Sequence, residues 1–164
     1  MALRDLNWRA LVIAGIVAGL IQVGAGVAMY LTGVYFSPWS FLVSLFLLLL
    51  CIVFGTRWYT VRHSKSEITY GQALVAGIVI SVATGVIYAI YNIISISFFY
   101  AHFLDDFARA SSATAGVGTP ETIAAIRENI TANKIALGNL IRLSVAGSLL
   151  SVLTGFVFKT HHKE

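Results

Sequence analysis

The chain has 164 residues, 58% of them hydrophobic and 11% charged, with a formal net charge of +4. Soluble domains carry roughly 25% charged residues, yet no Asp, Glu, Lys or Arg occurs in residues 10–56 or in residues 68–104. A domain of this size has no core large enough to enclose so much apolar sequence, whereas a bilayer asks for about 20 apolar residues per spanning helix. An ordinary soluble domain is therefore excluded, and an all-α, polytopic membrane protein is expected.

The first span is expected at about residues 10–31. Arg4 and Arg9 precede it in the manner of a signal peptide, but its apolar stretch is longer than the usual signal core of about 7–15 residues, so it reads as a retained helix. Gly33 and Ser37-Pro38 break the chain before a second span at about 39–56, which holds a run of four leucines and the single cysteine, Cys51. One cysteine permits neither an internal disulfide nor a cysteine metal site. A third span, about 72–92, opens on Thr69-Tyr70-Gly71-Gln72, the spacing of a capping box. The fourth is expected at about 139–158, interrupted by Arg142.

Between the last two spans, residues 93–138 keep helical periodicity on either side of a turn at about 111–119. Phe99, Phe103 and Phe107 recur every four residues, and Ile123, Ile126, Ile130 and Leu137 form a second stripe after the Thr119-Pro120 helix start. The pattern predicts that helices three and four extend out of the membrane as an antiparallel helical hairpin, with phenylalanines zipped against isoleucines, standing ~25–30 Å tall at 1.5 Å per residue. A connector of about 40 residues is longer than a mere link requires, so the hairpin is a candidate dock for a protein partner. Asn129-Ile130-Thr131 matches a generic glycosylation sequon.

Seven of the eleven basic residues (Arg4, Arg9, Arg57, Arg62, Lys65, Lys159 and Lys163) fall on one side of a four-span chain. The positive-inside rule then places both termini in the cytoplasm. Trp8 and Trp58 mark the inner interface and Trp39 the outer one. Charge spread in this way is a topology signal, not a nucleic-acid footprint, and the expected surroundings are membrane lipids.

Small residues mark the faces where helices approach closely. They are Gly15 and Gly19 in span one, Gly77, Ser81 and Gly85 in span three, and Gly147, Ser151 and Gly155 in span four. Helix two lacks such a face and is expected to lie more exposed to lipid. The alternative use of one small face is a homo-oligomer contact. Spans one and three also share an Ala-Leu-Val start at Ala10 and Ala73, which reads either as a two-helix repeat or as chance among few residue types.

Arg142 and Tyr88 are expected at similar depth near the outer boundary, with Asn92 one turn farther out. Together they make a candidate anion or lipid-headgroup contact, and the competing reading is that Arg142 is a snorkelling anchor. Gln22 reads as interhelical glue. His63, His102, His161 and His162 lie at or beyond the interfaces, and the His161-His162 pair lacks the further ligand a zinc site would want. No metal site, cofactor or catalytic constellation stands out. Asp105-Asp106, the only acidic pair, diverges by about 100° on a helix. A non-enzymatic anchor or accessory subunit is therefore expected. The alternative is a small oligomeric carrier or channel for a solute or lipid headgroup, lined by Gln22, Thr84 and Asn92.

The stretch Ile68-Thr69-Tyr70-Gly71-Gln72-Ala73, with the basic loop before it and Gly77, Ser81 and Tyr88 after it, resembles the bacterial domain-of-unknown-function family 4199. The likeness continues through Phe103-Leu104-Asp105 and the glycine-bearing last span. It implies a four-span bacterial inner-membrane protein and transfers no catalytic residue.

Overall fold

The computed structural model describes residues 6–63 and 68–159. Arg4, Lys65, His161, His162 and Lys163 lie outside the described residues, as do the side chains of His63 and Lys159. Six α-helices follow in order: α1 (Trp8–Leu31), α2 (Pro38–His63), α3 (Tyr70–Ile94), α4 (Phe103–Thr114), α5 (Pro120–Asn129) and α6 (Ala132–Lys159). There are no strands among the described residues. Four helical stretches are long and apolar enough to cross a membrane: Trp8–Leu31, Trp39–Arg62, Tyr70–Phe99 and Ala132–Phe156.

Local chemistry sets most of the helix starts. Asn7 caps α1 by accepting from the Ala10 N–H, and the Tyr59 hydroxyl accepts from the Asn7 N–H at 2.9 Å. Thr69 and Gln72 form the complete reciprocal box at the start of α3. Thr119 caps α5 ahead of Pro120, and Thr131 caps α6 through the Lys134 N–H. The sequon-like Thr131 is thus accounted for by capping.

α2 runs to His63, seven residues past the expected end of its span. Arg57 closes the apolar run but not the helix, because Tyr59, only 3% exposed, still packs at the start of α1. The outer segment differs more. α3 is followed by a π-helical turn, Ser95–Phe99, and then a break at residues 100–102. Ile130 adopts an extended conformation and separates α5 from α6. The expected continuous extension of helices three and four is therefore interrupted on both arms.

The zipper also has different partners. Phe103 is 2% exposed and sits 5.4 Å from Tyr35 and Phe36 and 5.7 Å from Tyr30, so its ring packs on the end of α1 and the α1–α2 connection. Phe107 follows it onto Phe36, while Phe98 and Phe99 stay 80% and 75% exposed. The π turn widens the helix and resets its register, which breaks the four-residue phenylalanine stripe at its first member. α4 is joined to α5 through a polar contact as well, with Arg127 Nε 2.6 Å from Asp105 Oδ1. The turn between them, residues 115–119, uses Gly116 at φ +70°.

Within the bundle, α3 packs most extensively on α6 and then on α1, while α2 contacts all three more sparingly. The α3–α6 seam is reciprocal. Ser151 sits opposite Gly77, and Ser81 sits opposite Gly147, so the antiparallel Gly-x-x-x-Ser pairs interlock. A Cβ on Gly77 would lie 2.7 Å from that of Ser151. Each serine hydroxyl donates to its own i−4 carbonyl, on Gly77 and Gly147, and so needs no water. Gly15 and Gly19 face Ala83 and Ile87, Gly85 faces Leu140, and Gly155 faces the Tyr70 ring. α2 supplies a narrow buried stripe of Ser44, Leu48, Ile52 and Thr56, with Phe46 and Phe54 turned outward.

Candidate functional site

The polar groups within the spans are largely consumed by the bundle. Gln22 Nε2 donates to the Ser44 carbonyl at 2.9 Å, and Ser44 Oγ donates back to Gln22 Oε1 at 3.3 Å, joining α1 to α2. Thr84 Oγ1 lies within hydrogen-bond distance of the Ile80 and Gly15 carbonyls, bridging α3 and α1. Asn92 Nδ2 donates to the Tyr88 carbonyl at 2.9 Å. All three side chains are at most 2% exposed.

The end of the bundle carrying the α1–α2 connection, α4 and α5 is different. An open cleft of about 760 Å³ lies there between the first turns of α6, the α1–α2 connection with the start of α2, and α4. α6 contributes Lys134, Gly138, Asn139 and Arg142. The spacing 134, 138, 142 keeps three of these on one helical face. Tyr35, Phe36 and Ser40 form a second wall, and Phe107, Ala110, Ser111 and Thr114 a third.

The electrostatics are one-sided. No Asp or Glu lines the cleft, and the α4 carboxylates are engaged elsewhere, Asp105 by Arg127 and Asp106 by Arg109. Neither Lys134 nor Arg142 forms a salt bridge among the described residues. Lys134 Nζ donates to the Asn129 carbonyl at 2.7 Å, which fixes it at the end of α5 with two N–H groups to spare. The Arg142 guanidinium stands 5.5 Å from the centre of the Phe41 ring. That stacking steadies the fork without neutralising it.

Arg142 and Tyr88 stand close enough to interact electrostatically, and Tyr35, which lines the cleft with Arg142, hydrogen-bonds the Tyr88 side chain. Arg142 is exposed in the cleft, whereas Tyr88 is 5% exposed and turned toward α1, where a Cβ on Gly26 would meet its hydroxyl at 2.9 Å. Neither Tyr88 nor Asn92 lines the cleft. Lys134 and Asn139 line the cleft with Arg142, and the signal for Lys134 in the sequence is its four-residue spacing through Gly138 to Arg142. Among the described residues, no group of three or more His, Cys, Asp or Glu is placed to hold a metal.

The family model described as Protein of unknown function (DUF4199) matches residues 12–160. No curated protein and no solved structure matches the chain. The chain belongs to the DUF4199 family.

Proposed function

We propose that this DUF4199 member is a non-enzymatic membrane component, an anchor or accessory subunit whose working part is the α4–α5 end. In this reading the chain sits in a bacterial inner membrane with both termini cytoplasmic, and α4 and α5 face the opposite side. The observation that carries it is the division of polar chemistry. Gln22, Thr84 and Asn92 are used up in holding helices together, whereas Lys134 and Arg142 are presented in an open cleft. A carrier lined by those three residues finds less support, since each already has a partner within the chain. The basic residues at the opposite end, Arg57 and Arg62 among them, favour a cytoplasmic placement there.

Purification from native membranes in mild detergent tests the role. A protein partner should co-purify in fixed stoichiometry, and it should be lost when exposed α4–α5 positions such as Val117 and Glu128 are changed to Arg. Phe46→Ala on the outward face of α2 should leave it bound. A chain that repeatedly runs alone, or as a plain homo-oligomer, would overturn the accessory role.

A further inference from the structure

We propose that the cleft between α6, α4 and the α1–α2 connection binds the headgroup of an anionic phospholipid. The proposal rests on the reading above only in placing the working end of the molecule there. Both cations lie within the stretch Ala132–Phe156, Lys134 two residues from its start and Arg142 about 12 Å deeper into it along α6, at 1.5 Å per residue. The two cations are therefore met in sequence by anything rising from the hydrocarbon. Arg142 meets the phosphate diester first, with a fork suited to two of its oxygens. Asn139 adds amide donors in the same cleft, and Phe36 and Phe107 give an apolar wall.

Lys134 then decides which headgroup fits. A zwitterionic lipid carries an ammonium group beyond its phosphate, where Lys134 would repel it. A glycerol or similar uncharged headgroup carries none, so the lipid keeps its net negative charge and meets no like charge. Selectivity thus comes from a repulsion as much as from an attraction.

Gly138 supplies an independent observation. It sits inside α6 between the two cations, where a Cβ would meet no atom within 4 Å. Glycine in a helix interior costs about 1 kcal/mol relative to alanine, and no close packing requires it here, in contrast to Gly147 one seam away. Its absent side chain leaves the floor of the cleft open.

Native mass spectrometry of the full chain, released from mixed micelles of phosphatidylglycerol and phosphatidylcholine in equal amounts, tests the proposal. One phosphatidylglycerol should be retained preferentially. Gly138→Leu should fill the cleft and abolish that retention while the thermal transition in detergent stays where it was or rises. Arg142→Lys should weaken retention about tenfold or more, as expected for losing a forked charge-assisted contact. Lys134→Ala should keep a bound lipid but lose the discrimination between the two headgroups. Equal retention of both lipids by the unaltered chain, or unchanged retention in Gly138→Leu, would overturn the site. Displacement of the lipid by millimolar inorganic phosphate would assign the cleft to a free anion and overturn the lipid assignment. A lipid result of either kind leaves the partner co-purification experiment to stand or fall by itself.

Discussion

Gly138 and Gly147 share one helix and answer to different constraints. Gly147 faces Ser81 at a contact with no room for a methyl group, while Gly138 opens onto empty cleft. Gly147→Ala should therefore destabilise the chain by about 1–3 kcal/mol, the usual cost of overpacking. Gly138→Ala should stabilise it by up to about 1 kcal/mol through helix propensity alone. Thermal denaturation in a single detergent compares them directly, and equal shifts of the same sign would mean that the seam is misplaced. The sequence marked Gly147 as a packing residue by its spacing, but nothing local distinguishes it from Gly138. Which glycine faces a neighbour depends on a partner helix more than 60 residues away.

The helices show where local reading succeeds and where it stops. The Thr69–Gln72 box and the Thr119-Pro120 start were legible because every atom involved lies within one turn. The small-residue faces were legible as faces, yet such motifs specify close approach without naming the partner. The pairing of Gly77 with Ser151 and Ser81 with Gly147 needed the structure. The phenylalanine stripe does not run straight on from helix three, because periodicity assumes a continuous helix and the π turn at Ser95–Phe99 removes that continuity. Phe103 is now the anchor that lays α4 on Tyr35 and Phe36. Phe103→Ala should loosen α4 at a cost of about 3–5 kcal/mol, seen as faster tryptic cleavage at Arg109 and Arg127. Phe99→Ala, at an exposed position, should leave cleavage unchanged. A matching acceleration in both variants would show that α4 is not held through this ring cluster.

At the scale of the whole molecule, charge divides along the sequence. In residues 103–142 the cations Arg109, Arg127, Lys134 and Arg142 balance Asp105, Asp106, Glu121 and Glu128, 4 against 4. The remaining 7 cations and 3 carboxylates of the sequence carry the entire net +4, and Arg9, Arg57 and Arg62 are the ones among them whose side chains are described. A membrane that retains positive loops on its cytoplasmic side would then fix the orientation, with the cleft on the far side. Single cysteines test this in a Cys51→Ser background, using an impermeant maleimide on intact spheroplasts. Val117, 49% exposed at the turn between α4 and α5, reports on the cleft end better than the buried Ser112, which is 1% exposed. Val117→Cys should label in intact spheroplasts, and Ser64→Cys, in the basic connection between α2 and α3, should label only after lysis. The reverse pattern would put the Lys134–Arg142 cleft on the cytoplasmic side. It would then meet the phosphates of the opposite leaflet, and any protein partner would have to be sought in the cytoplasm.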